Sequence, residues 1–262
     1  MRPSALRQGE TISVLPRWAV AAYYSVAFYA CVLVFGLSCL FWSLPAALLY
    51  CLLPHRYGEV LGQFMIMAGF RWFIGVMRAT RVLRVDFAAL DRLREERSIV
   101  IAGNHPTMLD AVLISSRLPR VVCITKSSIW DNPFYGGSVR LAAYIRNDSP
   151  LPMIRRAAHS IRGGCQLLIF PEGSRTARPP IDRFHRSFAV MAKVAGAPVQ
   201  TLLIEADSPY LRKGWPLVRR PQLPLIYRLR LGQRFEVRGD PQEFVTGLEQ
   251  YFRDELPPAV PA

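Results

Sequence analysis

The sequence predicts an α/β domain, in which helices flank a mostly parallel central sheet, preceded by an N-terminal membrane-associated helical hairpin. The first observation behind this prediction is a long uncharged apolar run near the N-terminus. The second is the alternation of short apolar segments with helix-length segments after about residue 79, which is typical of a parallel sheet covered by helices. We therefore expect membrane-anchoring helices over residues 1–79, the α/β domain over 80–256 and a loose tail over 257–262.

The apolar run covers residues 18–53 and contains no charged side chain. As one helix it would be roughly 54 Å long, whereas the hydrocarbon core of a bilayer is ~30 Å thick. Either a single span is followed by an interfacial helix, or the run bends back as a hairpin near Pro45, which removes a helix hydrogen bond. We favour the hairpin because arginines flank the run on both sides, and positive charge marks cytoplasmic flanks.

The next segment, residues 61–77, is also apolar and is interrupted by Arg71. It predicts a helix that either lies in the membrane interface or packs into the core of the soluble domain. The pattern favours neither position over the other.

The α/β domain is predicted from short apolar strands that alternate with helices. We expect strands over 82–85, 99–102, 121–125, 144–146, 166–170 and 199–204. Helices are expected between them over 88–96, 106–116, 133–143, 152–162 and 184–195. A hairpin of strands 226–231 and 235–237 around Gly232 and a last helix over 242–256 complete the prediction.

The composition indicates an anionic partner. The net charge is +14, and arginine supplies nearly all of the excess. Nucleic acid, an acidic lipid surface and a phosphorylated substrate would each explain it, but the spread of arginines along the chain and the apolar N-terminal run argue against nucleic acid. The five cysteines form no CxxC pair and no metal-ligand spacing, which indicates free thiols in a reducing compartment.

Two strand ends carry residues capable of chemistry. The first strand leads through Gly103 and Asn104 to His105, and Asp110 follows one helical turn later, which makes an HxxxxD motif. If His105 lies just outside the helix, the carboxylate can hold one ring nitrogen and leave the other free to take a proton from a hydroxyl. Alone, the pattern is much more often a helix-capping histidine and a solvated aspartate.

The second strand end has the sequence Phe170-Pro171-Glu172-Gly173-Ser174-Arg175. Gly173 permits a tight turn, and the planar guanidinium of Arg175 matches a phosphate group. Glu172 could accept hydrogen bonds from substrate hydroxyls or orient Arg175. Alone, this turn could also be a polar surface turn with a structural ion pair.

Together, the two motifs resemble the glycerolipid acyltransferases, and the closest branch is the bacterial 1-acylglycerol-3-phosphate acyltransferases of phospholipid synthesis. The resemblance covers roughly residues 80–205. Two weaker blocks add to it, one over 126–146 that closes with Arg146, and one over 197–204. Three features depart from the family pattern: the residues between His105 and Leu109, Ser187 in place of a usual glycine, and the Arg- and Pro-rich segment 208–224.

The resemblance implies transfer of a fatty acyl group from acyl-CoA or acyl carrier protein to the free hydroxyl of a lysophospholipid, most simply 1-acylglycerol-3-phosphate to phosphatidic acid. His105 would be the general base and Asp110 its orienting partner. The glycerol-phosphate end would be held by five residues: Arg146, Glu172, Gly173, Ser174 and Arg175. No metal or bound cofactor is expected. The resemblance also implies the bacterial inner membrane, with the catalytic domain on its cytoplasmic face and in contact with anionic lipid.

Two alternatives remain open at this point. The acceptor could be another lyso-lipid, for example a single-chain aminolipid, because two arginines can hold a carboxylate as well as a phosphate. The protein could also be a non-catalytic lipid-binding protein on the same fold. The backbone N–H groups at the start of the helix after Pro106 are a first suggestion for the donors that would stabilise a tetrahedral oxyanion.

Overall fold

The computed structural model describes residues 16–133 and 136–257. Within these ranges the strands are β1 (Leu83–Val85), β2 (Ile99–Gly103), β3 (Val121–Lys126), β4 (Ile145–Asn147), β5 (Gln166–Ile169), β6 (Val199–Ala206) and β7 (Leu225–Phe235). The helices are α1 (Arg17–Leu52), α2 (His55–Ala79), α3 (Ala88–Asp91), α4 (Leu109–Ser115), α5 (Ser127–Trp130), α6 (Gly136–Leu141), α7 (Pro150–Arg162), α8 (Ser187–Ala195) and α9 (Pro241–Glu255).

The described strands form one sheet in the order β1-β7-β6-β2-β5-β3-β4. Neighbouring strands are parallel throughout, except for the antiparallel pair β6 and β7. The predicted mostly parallel sheet with flanking helices is therefore confirmed. One edge of the sheet collects the carboxyl ends of β2 to β6, and polar residues that follow those ends are brought close together.

Both faces of the sheet are buried, as parallel sheets require. Ile101 and Leu168 face the layer that contains α2 and α4, whereas Val100 and Leu167 face the layer formed by α7, α8 and α9. This explains why the central strands have continuous apolar sequences rather than an alternating pattern. The carboxyl end of β2 is consequently held from two sides, which gives the residue after it a fixed position.

The predicted hairpin within residues 18–53, bent near Pro45, is wrong, although α1 and α2 together form a helical hairpin. Helix α1 continues through Pro45, and the chain reverses at Leu53 and Pro54 instead. Proline restricts the preceding residue to extended conformations, and Leu53 has φ −89° and ψ 142°. The two helices then pack antiparallel, with the rings of Phe35 and Phe73 4.9 Å apart.

Two of the described helices, α1 and α2, are long and apolar enough to cross a membrane by length and composition. On α2, Ile74 and Met77 pack into the core, while Phe64 and Trp72 are more than half exposed. The core position considered for residues 61–77 is thus confirmed for one face of the helix, and the interfacial position stays a prediction for the exposed face. The apolar surface left on α1 and α2 indicates membrane association.

Because Phe28 of α1 and Phe73 of α2 belong to the same core as the sheet, the boundary at residue 79 stays a prediction. Most of the predicted tail, residues 258–262, lies outside the described residues.

The predicted hairpin around Gly232 is also wrong, because β7 runs unbroken through this residue. A Cβ atom at Gly232 would collide with the Tyr251 hydroxyl and with Thr201 Oγ1. Glycine is therefore needed there for close approach of neighbouring groups and not for a turn. Four helices are shorter than predicted: α3 ends at Asp91, α4 begins at Leu109, α6 ends at Leu141 and α8 begins at Ser187.

Candidate active site

His105 lies just beyond the carboxyl end of β2. The preceding residue, Asn104, is buried and forms a two-point contact with β6: its Nδ2 donates to the carbonyl of Ile204 (2.8 Å), and its Oδ1 accepts from the Ile204 N–H (2.8 Å). This contact fixes the turn between β2 and the segment leading to α4. The histidine ring is therefore presented from a rigid sheet edge.

The side chain of Asp110 lies in the first turn of α4 and faces the histidine. His105 Nδ1 is 3.0 Å from Asp110 Oδ2. The carboxyl group is fully buried, and it also accepts hydrogen bonds from the Thr107 N–H (2.8 Å) and the Thr107 hydroxyl (2.7 Å). Burial raises the pKa of Asp110, and the hydrogen bonds from His105 and Thr107 partly offset this rise.

The imidazole is also held on one face. Its ring stacks on Phe170, with centroids 3.8 Å apart and planes inclined by 11°. When Nδ1 carries the proton and donates it to Asp110, Nε2 has its lone pair free to accept another. Phe170 and Asp110 thus fix the plane and the edge of the ring, and the side chain keeps 15% of its surface exposed.

The second motif follows β5 and is joined to the first by Glu172. One carboxylate oxygen, Oε1, accepts hydrogen bonds from the backbone N–H of His105 (2.9 Å) and from the Thr176 hydroxyl (2.9 Å). The other oxygen accepts from the N–H of Asp182 (2.8 Å), and the Thr176 N–H donates to the His105 carbonyl (2.8 Å). Burial raises the pKa of Glu172.

Of the two roles suggested for Glu172, a direct contact that orients Arg175 does not form in the structure. Each Glu172 oxygen already accepts from other protein groups, and Arg175 Nη1 donates to the carbonyls of Leu211 (2.9 Å) and Arg212 (3.0 Å). Leu211 also accepts from the N–H of Met108 (3.1 Å). The segment 208–224, named here the β6–β7 loop, therefore contacts both motifs, a role that its sequence does not predict.

The turn between Glu172 and Arg175 depends on Gly173. Its φ of +68° favours glycine, and an added Cβ would lie 3.0 Å from the His185 ring. Ser174 follows on the same turn and is partly exposed. The structure thus brings together His105 and Asp110 with the Glu172–Arg175 turn.

Arg146 occupies a different part of the same sheet edge. It lies in β4, which is separated from β2 by β5 and β3, a distance of roughly 14 Å at ~4.8 Å per strand. Its guanidinium pairs with Asp131 (2.9 Å) and is 34% exposed. Arg146 is therefore not part of the cluster around His105, but it faces the same edge.

Two residues of the cluster were missed from the sequence. The Thr107 hydroxyl is 2.8 Å from the hydroxyl of Tyr227, a buried residue near the start of β7. Thr107 has a local signal, because Thr-x-x-Asp at the start of a helix is the pattern of a capping box. Tyr227 has none, since it lies 120 residues away in sequence. Burial, with the nearby charge of Asp110 second, raises the pKa of Tyr227.

The arrangement is suited to removing a proton from a hydroxyl. A buried carboxylate, an oriented imidazole and a free ring nitrogen are the components of a general base. Across residues 16–133 and 136–257, no group of three or more His, Cys, Asp or Glu side chains is placed to hold a metal ion.

Comparison with known proteins assigns the class. Residues 84–205, which contain both motifs, match the family model described as Acyltransferase. The predicted resemblance to the glycerolipid acyltransferases is thereby confirmed, and the chain is an O-acyltransferase.

Individual relatives extend this similarity to most of the chain. It is 22% identical over 237 residues to a 1-acyl-sn-glycerol-3-phosphate acyltransferase of Pseudomonas aeruginosa, covering 88% of each protein. It is 28% identical over 203 residues to the 1-acyl-sn-glycerol-3-phosphate acyltransferase beta of Homo sapiens, covering 73% of this chain and 68% of the relative. The crystal structure of the 1-acyl-sn-glycerophosphate (LPA) acyltransferase from Thermotoga maritima has the same fold, with a TM-score of 0.62 and 15% identity over 91% of this chain and 95% of that one.

Proposed function

We propose that the protein transfers a fatty acyl group from an acyl thioester to the free hydroxyl of 1-acylglycerol-3-phosphate and thereby forms phosphatidic acid. The observation that carries this proposal is the imidazole of His105, held 3.0 Å from the buried Asp110 carboxylate and joined through Glu172 to the turn that carries Arg175. The names of the relatives from Pseudomonas aeruginosa and Homo sapiens support the same acceptor.

In the proposed reaction, His105 Nε2 accepts the proton of the acceptor hydroxyl while the oxygen attacks the thioester carbonyl. A C–O bond forms, and the carbonyl becomes a tetrahedral oxyanion. When this intermediate collapses, the C–S bond breaks and the leaving thiolate takes the proton from the imidazolium. Asp110 stabilises the imidazolium between these two steps.

The oxyanion donors suggested from the sequence find little support in the structure. The Thr107 N–H donates to Asp110, and the Met108 N–H donates to the Leu211 carbonyl. Both groups at the start of the segment after Pro106 are therefore engaged with the protein. A donor from elsewhere at the sheet edge would have to stabilise the developing charge.

Arg175 is the proposed contact for the acceptor phosphate. A guanidinium has five N–H donors, and the bonds to Leu211 and Arg212 involve Nη1. The remaining donors can bind a phosphate while the loop carbonyls hold the group in position. Arg146, on the same edge, would contact a more distant part of the acceptor or the phosphate-bearing donor.

The acyl donor is proposed to be acyl-CoA or acyl carrier protein, and the site of action the cytoplasmic face of a bacterial inner membrane. Helix α1 contacts the α/β domain at Phe28, which meets Tyr210, and at Ser43, which donates to the Pro133 carbonyl. These contacts lie 15 residues apart, or roughly 22 Å along the helix. Such packing supports a helix that lies partly immersed in one leaflet, with its apolar outer face in lipid.

The acceptor can be tested with purified full-length protein in detergent micelles, supplied with acyl-CoA or acyl carrier protein. The panel contains lysophosphatidic acid, lysophosphatidylethanolamine, lysophosphatidylglycerol and a single-chain aminolipid. We expect the highest kcat/KM with lysophosphatidic acid, because a terminal phosphate monoester offers the most charge to Arg175. A clear preference for the aminolipid, or for an esterified headgroup, would refute the proposed acceptor.

A further inference from the structure

The β6–β7 loop combines charge and apolar surface in a way that the catalytic proposal does not use. It carries four basic residues and no acidic residue: Arg212, Lys213, Arg219 and Arg220. Between them, Leu217 is 49% exposed and Val218 is 63% exposed. Exposed aliphatic side chains bracketed by cations are typical of segments that bind anionic membranes.

An aromatic residue completes this pattern. The indole of Trp215 lies under the guanidinium of Arg219, 4.8 Å from its centre, and donates to the Arg219 carbonyl (3.0 Å). Tryptophan prefers the headgroup zone of a membrane, and arginine can keep its charged end there while its stem contacts apolar groups. The loop therefore carries aliphatic, aromatic and cationic side chains next to one another.

The loop is fastened to the helix that we assign to the membrane. Arg220 Nη1 donates to the carbonyl of Ala21 in α1 (3.2 Å), and the Tyr210 ring packs on Phe28 with centroids 5.4 Å apart. Trp18, one helical turn before Ala21, is 74% accessible. The loop is thus tied at two points to the N-terminal half of α1, beside an exposed tryptophan.

The inner end of the same loop contacts the catalytic cluster. The carbonyls of Leu211 and Arg212 bind Arg175, and the Leu211 carbonyl also binds the Met108 N–H. Leu211 has a φ of +61°, so its carbonyl direction depends on a backbone conformation that the rest of the loop must maintain. The loop therefore links the outer surface to the position of Arg175.

From these contacts we propose that the β6–β7 loop is a membrane-binding element for anionic lipid. Leu217 and Val218 enter the acyl region, while Lys213, Arg219 and Arg220 contact lipid phosphates. Docking holds the loop in the conformation that orients Arg175 toward the acceptor. The membrane contact is inferred from the loop alone, whereas its effect on turnover rests on the proposed function.

Photo-crosslinking tests the contact without reference to activity. Full-length protein with p-benzoylphenylalanine at Val218 is reconstituted into vesicles of phosphatidylcholine with or without phosphatidylglycerol. The matched control carries the same group at Val194, an exposed valine of α8 that is 44% accessible. We expect lipid adducts from position 218, several times more abundant with phosphatidylglycerol, and none from position 194. Equal labelling at both positions, or none at 218, overturns the proposal.

Activity measurements test whether docking of the β6–β7 loop affects turnover at the active site. In Leu217→Ser/Val218→Ser, the ratio of activity on phosphatidylglycerol vesicles to activity in detergent micelles should fall about tenfold. The exposed parts of the two side chains, 49% and 63%, together equal about one aliphatic side chain, whose burial is worth about that factor. The control Arg155→Ser/Arg156→Ser, on the exposed face of α7, should keep the wild-type ratio. An unchanged ratio in the loop variant overturns the coupling. Wild-type protein that acylates no acceptor would refute the proposed function and leave the crosslinking result valid.

Discussion

Replacement of Asp110 by asparagine tests the electrostatic part of the mechanism. The change is nearly isosteric, and the side chain is fully buried. An asparagine can keep its oxygen at the position of Oδ2, where it accepts from His105 and from the Thr107 N–H. Its amide nitrogen would then donate to the Thr107 hydroxyl, which can reverse its own bond toward Tyr227. The variant should therefore fold, and the main loss is the negative charge.

The size of this loss follows from the geometry. Two opposite unit charges 3.0 Å apart attract by about 5.5 kcal/mol at an effective dielectric constant of 20. Because 15% of the His105 side chain is exposed, solvent screens part of this attraction. We expect a loss of about 4 kcal/mol of transition-state stabilisation, or a fall in kcat of roughly 10³.

The assay compares kcat and KM for lysophosphatidic acid in wild-type protein, Asp110→Asn and the control Asp254→Asn, which alters an exposed carboxylate of α9. KM should change little in Asp110→Asn, since the charge acts on the imidazolium and not on the bound acceptor. If folded Asp110→Asn keeps more than about a tenth of wild-type kcat, the carboxylate does not stabilise an imidazolium in the reaction.

Three further predictions concern the surroundings of the histidine. Tyr227→Phe removes the hydroxyl 2.8 Å from Thr107; kcat should fall about threefold to tenfold at constant KM, and an unchanged kcat would refute a contribution to positioning. Arg175→Lys keeps the charge but not the planar fork, so KM for lysophosphatidic acid should rise about tenfold; a rise in the KM for acyl-CoA alone would contradict the assignment. Burial raises the pKa of Glu172, so its carboxyl group binds a proton more tightly in the folded state than in the unfolded chain. The contribution of this group to stability therefore falls as the pH rises from about 4 toward the raised pKa. Melting curves of Glu172→Gln should show a shallower fall over this range, and an equal slope would contradict the argument.

The sequence predicted those parts of the fold that depend on local patterns. Strands such as β2 and β5 are continuous apolar runs because helices cover both faces of the sheet, and their ends were assigned to within a residue. The contact between His105 and Asp110 is predictable because only one strand end and one helical turn separate the two residues. The bend at Pro45 was wrong because α1 is kept continuous by packing: the backbone of α6 at Gly137 approaches Ser43 and Ala47 so closely that a Cβ would not fit.

Other parts of the site depend on contacts between distant segments. Tyr227 reaches Thr107 across 120 residues of sequence, and Glu172 binds the His105 backbone across 67. Neither spacing produces a periodic signal. The loop that holds Arg175 has a composition typical of irregular surface segments, and its role follows from two carbonyl groups, which any sequence possesses. These features can be identified only from the three-dimensional structure.

The central claim is that His105 is the general base of acyl transfer to a lysophospholipid. Its most direct test is the rate of phosphatidic acid formation from acyl-CoA and lysophosphatidic acid by wild-type protein, His105→Ala and His159→Ala, an exposed histidine of α7, each with its melting temperature. We predict that His105→Ala loses at least about 10³-fold in kcat/KM while it stays folded, and that His159→Ala matches wild type. Folded His105→Ala that forms phosphatidic acid at a rate near wild type would contradict the mechanism.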